Sequence, residues 1–281
     1  MLQFIRHFLL AVQFFTRIPV TGRLAEWVGY SPAMLRASAA HFPGIGWLAG
    51  TVAAGVYALL VAVLPPSLFT PLVAAALSTV ATVLLTGAFH EDGLADVSDG
   101  LGGSSDAPRA LEIMKDSRVG AFGALALTLA LGCKLALIAL LGSLETGVRD
   151  SDPVAFELDP WLVPAALLAA HVVSRGLPLL LIRVLPHVGD TASSKSKPLA
   201  DQITLGSLGA AFLWCFVALA LASYALNAIA LIAACSFAVI ALLWMGRLFT
   251  RRLGGFTGDG LGATQQVCEI AFYLGLAVGL S

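Results

Sequence analysis

The sequence predicts an all-α polytopic membrane protein of about seven transmembrane helices, preceded by a short N-terminal interfacial or re-entrant helix. Three observations carry that expectation. Hydrophobic residues make up 58% of the 281-residue chain and charged residues only 12%, whereas soluble domains sit near 45–50% and about 25%. Mean hydropathy is +0.90. Apolar stretches of roughly 20 residues, the length that crosses a bilayer, recur along the whole chain. The connections between them are too short to hold a separate domain, so residues 1–281 form a single integral-membrane domain.

The first apolar stretch, residues 4–15 (FIRHFLLAVQFF), is too short to span and contains Arg6 and His7, which suits a helix lying in the interface. No small-x-small cleavage site follows it, so it is expected to remain in the mature protein. Spans are then expected at 42–64 and 68–89, a helical hairpin broken at Pro65 and Pro66, and at about 120–142, 161–185, 205–224 and 228–246. A short last span is expected near 267–280, with Gln265 and Gln266 turned into the protein. Gly44, Gly46 and Gly50 open the first span and suit close helix packing through small residues. After the second span, Ser105 or Asp106 is expected to cap a short helix running from Pro108 through Met114.

The basic residues orient the chain. Arg6, Arg17, Arg23 and Arg36, then Arg109, Lys115 and Arg118, then Arg183, Lys195 and Lys197, then Arg247, Arg251 and Arg252 lie on alternate connections, thirteen of the 16 Lys and Arg. That side is expected to face the cytoplasm; Arg149 is the single base in a connection on the other. Lys134 and Arg175 fall inside spans. Snorkelling outward suits Lys134, whereas Arg175 needs a polar cavity or a partner, either structural or a phosphate. His171, one turn before it, is placed to share that cavity.

Two function classes are excluded by composition. A net charge of −1 lacks the basic footprint of a nucleic-acid binder. The four cysteines lie in or beside apolar segments with no CxxC pair, so they read as small apolar residues and not as a zinc site or disulfide framework.

The chemistry concentrates in HEDGLADVSDG, residues 90–100. On a helix, Asp92, Asp96 and Asp99 are spaced i, i+4, i+7 and share one face. Such an acidic run after an apolar segment can be only a solvated cap. Asp116 and Asp259, however, fall at the same membrane edge, each in a polar, glycine-containing segment with bases nearby. Oxygen ligands without Cys or His suit Mg²⁺ or Mn²⁺. With Lys115, Arg118 and Arg175 as phosphate partners, the set suits a diphosphate substrate and an in-line displacement, one carboxylate taking the proton from an attacking hydroxyl. The glycine-rich GGFTGDGLGA, residues 254–263, is no Walker loop, but a flexible backbone there could approach a phosphate. A secondary transporter using membrane carboxylates is the rival; it would be expected to carry internal repeats and midplane acids.

HEDGLADVSDG, LEIMKDSRVGAFG, the SRG at 174–176 and LGGFTGDGLGA at 253–263, together with the opening FFTRIPV and HFPGIGWLAG, resemble the cobalamin synthases, the adenosylcobinamide-GDP ribazoletransferases of bacteria and archaea. The resemblance runs nearly end to end. It implies a transferase of the cytoplasmic (inner) membrane with its active site facing the cytoplasm. The reaction implied moves the adenosylcobinamide phosphate group from adenosylcobinamide-GDP to the 5′-hydroxyl of α-ribazole, or to α-ribazole 5′-phosphate, releasing GMP with Mg²⁺. It also implies Asp92, Asp96 and Asp99 as the metal-binding core, joined by Lys115, Asp116 and Arg118. Asp116 and Asp259 are both candidates for the base. The chain departs from the related CDP-alcohol phosphotransferases, since Asp96 stands where their DGxxAR motif continues and no GxxxDxxxD follows. Loops 100–118 and 186–204 are the expected walls of a platform for the bulky corrinoid. The oligomeric state is left open.

Overall fold

The computed structural model describes residues 2–145, 160–189 and 203–281. Arg149, Lys195 and Lys197, and most of the proposed 186–204 wall, lie outside these residues. Among the described residues the structure is helical, apart from an isolated parallel bridge between His187 and Phe256.

Helix α1 (Leu2–Phe15) turns Leu10, Ala11, Val12 and Phe15 inward and leaves Leu2, Phe4 and Ile5 exposed, the two-faced pattern of an interfacial helix. Two short helices, α2 (Gly22–Val28) and α3 (Pro32–Ser38), and a 3₁₀ turn (Ala39–His41) lead into α4 (Phe42–Val63). The Arg6 Nε donates to the Val28 carbonyl at 2.9 Å and ties α1 to this segment. Helix α5 (Thr70–Thr86) returns, α6 (Phe89–Gly103) and α7 (Ala107–Ile113) follow, and α8 (Ala121–Glu145) crosses again. Among the described residues there follow α9 (Leu162–Gly176), its continuation α10 (Leu179–Val184), α11 (Leu205–Ala222), α12 (Ala228–Leu253) and α13 (Gly258–Gly279). Among the described residues, six helices are long and apolar enough to cross a membrane, seven if the bent pair α5 and α6 is one span.

Helix α9 is the axis of the bundle. Of its apolar window with α10, 83% is buried, against 17% for α8 at the lipid-facing periphery. Helix α4 lies directly on α9: a Cβ on Gly46 would meet the His171 carbonyl, and one on Gly50 would meet Leu168 Cα at 2.8 Å. The glycines that open the first span therefore serve close packing, as their spacing suggests.

Three expectations change. The second span does not run to residue 89; α5 ends at Thr86, and α6 leaves at 89° to it. Gly87 (φ 68°) and Ala88 (φ 59°) both adopt left-handed backbone at this elbow. Glycine does so freely, but alanine is strained there. Arg17 fits into the elbow: its backbone N–H donates to the Leu85 carbonyl at 2.7 Å, and its side chain occupies the space a Cβ on Gly87 would need. The last span is not a short one from 267 but 22 residues long from Gly258. GDGLGA is consequently helix and not a flexible loop, capped by Thr257, whose hydroxyl accepts from the Gly260 N–H at 3.0 Å. The short helix before α8 begins at Ala107 with Asp106 as its cap, accepting from the Arg109 N–H at 3.1 Å.

Candidate active site

The transverse helix α6 carries the acids, and its 3.6-residue period does place Asp92, Asp96 and Asp99 along one side. The first turn of α13 then docks against it. Gly93 is the contact point: a Cβ there would meet the Asp259 carbonyl at 2.7 Å. Small size at Gly93 thus lets Asp259 join the acidic face. Asp92, Asp259 and Asp99 all act electrostatically on Asp96, and Asp92 acts on Asp259. Asp92 is exposed, while Asp96 and Asp259 are half-buried. Among the described residues no ion pair reaches any of these three.

Asp99 is engaged differently from its neighbours. Its two carboxylate oxygens accept from the Gly120 and Gly123 N–H groups at 2.7 and 2.8 Å. A carboxylate at that position caps α8 and complements the positive end of its dipole. Each oxygen keeps a lone pair, but the side chain is already held by the fold. Arg252 does the converse for α6, donating from Nη2 to the carbonyls of Leu101 and Ser104 at 2.9 and 2.8 Å.

Asp116 is not brought to the acidic face. It lies in the turn between α7 and α8, where Arg118 grips it with Nε at 3.0 Å and Nη2 at 2.5 Å. That guanidinium, by hydrogen bonding and charge, holds the Asp116 carboxyl down to about 2. Lys115 and Arg118 are exposed in the same turn. Met114 against Gly100 and Gly120 against Asp99 pin this turn to the C-terminal half of α6.

A second polar cluster lies deeper, between α6, α8, α9 and α13. Here Lys134 is corrected: it does not snorkel outward but is buried, with Nζ 2.6 Å from Glu269 Oε1. Glu269 Oε2 accepts from Gln265 Nε2 at 2.7 Å, and Gln265 Nε2 also donates to Ser174 at 2.9 Å. Gln266 Nε2 bridges Glu91 Oε1 and Gln265 Oε1, each at 3.0 Å. Arg175 Nη1 donates to the His171 carbonyl at 2.9 Å and meets His171 Nδ1 at 3.0 Å. Because arginine only donates, His171 Nδ1 accepts here, so its 3.5 Å approach to Glu269 is not a donated hydrogen bond. Glu269 and Glu91 act electrostatically on Arg175, which sits fully enclosed. The glutamines are inside, as expected, and His171 does share the Arg175 cavity. Glu91, Glu269 and Tyr273 were not singled out by sequence reasoning. A signal existed for two of them: Gln265, Glu269 and Tyr273 recur at i, i+4, i+8 on one face of an apolar helix.

The donor chemistry of Asp92, Asp96 and Asp259, all hard oxygens on a face that gathers negative charge, fits Mg²⁺. The fit is one of chemistry and convergence: among the described residues, no three His, Cys, Asp or Glu side chains stand close enough together to form a ligand set.

The model of the cobalamin-5-phosphate synthase family matches residues 7–277. A Polaromonas sp. (strain JS666 / ATCC BAA-500) protein named adenosylcobinamide-GDP ribazoletransferase is 72% identical over 279 residues, covering 99% of this chain and 98% of its own. A protein of the same name from Albidiferax ferrireducens is 62% identical over the whole of both chains. One from Vibrio cholerae serotype O1 (strain ATCC 39541 / Classical Ogawa 395 / O395) is 42% identical, covering 95% of this chain and 91% of its own. No solved structure matches.

Proposed function

This chain belongs to the cobalamin-5-phosphate synthase family, and from that premise we propose how its residues divide the work of an adenosylcobinamide-GDP ribazoletransferase. The observation that carries the reading is the docking of Asp259 on Gly93, which joins an acid of α13 to the acids of α6.

The reaction forms a bond between a ribose hydroxyl oxygen of the ribazole acceptor and the phosphorus attached to cobinamide. The bond from that phosphorus to the bridging diphosphate oxygen breaks, and GMP leaves. An acceptor that keeps its 5′-phosphate cannot be attacked through the 5′ oxygen. A nucleophile common to free and phosphorylated ribazole is therefore another ribose hydroxyl, and this replaces the 5′-hydroxyl expected from the sequence.

Asp259 takes the proton. A base must be able to accept one near working pH, and Asp116, clamped by Arg118 at about 2, is a poor acceptor. Asp92 and Asp96, with Asp259 beside them, would hold Mg²⁺, which when bound offsets the diphosphate charge. Asp99 supports the face by fixing α8 against α6. Lys115 and Arg118 stand where a diphosphate arriving from the aqueous side would meet them. Arg175, enclosed and committed to His171, we assign to the inner cluster and not to phosphate. The membrane is the bacterial cytoplasmic one, with this face toward the cytoplasm, as the distribution of bases favours.

The test is GMP release by purified protein in liposomes given adenosylcobinamide-GDP, α-ribazole and Mg²⁺. Release that requires all three and falls at least 100-fold in a folded Asp259→Asn variant supports the assignment. Release unchanged in that variant moves the base elsewhere.

A further inference from the structure

Beside the acidic face lies a pocket that this chemistry does not use. Phe15, Phe42, Phe89, Ile182 and Leu261 wall it, and His90 is its one side chain with polar ring atoms. Its empty space is about 530 Å³, open solvent at the mouth included. The walls are built from stacked rings. Phe42 lies over Phe15 at 4.5 Å and 29°, and over His90 at 5.6 Å and 17°; Phe89 meets His90 edge-on at 5.5 Å. His90 is 1% exposed, and its Nε2 has no hydrogen-bond partner. A buried imidazole nitrogen left unpaired is costly.

We propose that this pocket receives the base of the ribazole acceptor, a flat and largely apolar fused ring with one ring nitrogen free to accept a hydrogen bond. The inference rests on the transferase reading above. Aromatic walls suit such a ring, and His90 Nε2, carrying its proton, donates to the free nitrogen. A lipid acyl chain would leave that nitrogen unpaired. Position supports the same occupant: Gly258 and Leu261, which line the pocket, flank Asp259 on the first turn of α13. A base held here places its ribose beside the proposed proton acceptor.

The experiment measures equilibrium binding of benzimidazole to the full chain in nanodiscs without donor substrate, and the KM of each substrate in turnover. Benzimidazole should bind the wild type, weaken about tenfold in His90→Phe, and stay within about threefold in His90→Gln, which keeps a donor. The ribazole KM should rise by the same factor in His90→Phe while the adenosylcobinamide-GDP KM holds. Should His90→Phe fail to fold, Ile182→Trp fills the pocket from α10 and should abolish benzimidazole binding. Equal binding in the folded variants, no binding to wild type, bound lipid displaced by Ile182→Trp in its place, or a shift in the donor KM alone would overturn the proposal. Benzimidazole binding through His90 by a chain that releases no GMP would break the transferase assignment and leave the pocket standing.

Discussion

The chain holds two concentrations of charge, and they are built on opposite terms. In the inner cluster, Lys134 meets Glu269, Arg175 lies in the field of Glu269 and Glu91, and Gln265, Gln266 and Tyr273 hydrogen-bond to the two carboxylates, while Glu91 Oε2 has no hydrogen-bond partner among the described residues. Two bases stand against two acids in a low-dielectric interior. On the outer face Asp92, Asp96 and Asp259 confront one another, and among the described residues none has an ion-pair partner. The difference separates structure from function. Charge inside a membrane is tolerated where it is internally neutralised; on the outer face that balance is missing among the described residues, and this imbalance is what the proposed cation would offset.

The largest effect that could break this contrast comes from the inner cluster. Glu269→Ala leaves Lys134 buried without its partner and should destabilise the bundle by about 3–5 kcal/mol, seen as loss of folded protein in thermal unfolding. The paired change Lys134→Met with Glu269→Leu should restore most of it. A single variant as stable as wild type would mean that the cluster is not internally balanced.

Asp99 sharpens the comparison, because it belongs to the acidic helix yet works as a cap. Asp99→Ala should lower stability by about 1–2 kcal/mol through the lost α8 cap, whereas Asp99→Asn, which still accepts hydrogen bonds, should lose less. If Asp99→Ala abolished turnover without any loss of stability, Asp99 would belong with Asp92, Asp96 and Asp259. The smallest effect is expected at Asp116. Its pair with Arg118 is exposed and screened by solvent. The folded carboxyl, held at about 2, stays ionised above that pH and is neutralised only as pH falls through it. Asp116→Asn should therefore leave the acidic limb of the pH–rate profile between pH 4 and 7 where it is; a displaced limb would return Asp116 to the role of base.

How far this contrast was legible in the sequence differs between the two regions. The spacing of Asp92, Asp96 and Asp99 is a local property of one helix and could be read directly. Their alternate fates could not, since Asp99 is taken by Gly120 and Gly123 of another helix and Asp259 arrives only because Gly93 admits α13. The 89° elbow was hidden because the apolar run continues through Thr86, Gly87 and Ala88, and hydropathy does not register a change of direction. Lys134 looked unpartnered because Glu269 lies far along the chain. Arg175 and His171, one turn apart on α9, were legible as companions for the reason that they are local.

The most direct measurement titrates GMP release against Mg²⁺ for wild type, Asp96→Asn, and the Lys134→Met/Glu269→Leu pair. The account predicts that the half-saturating Mg²⁺ concentration rises at least tenfold in folded Asp96→Asn and holds in the inner-cluster pair. A wild-type Mg²⁺ curve in Asp96→Asn, or a shifted one only in the inner pair, would contradict it.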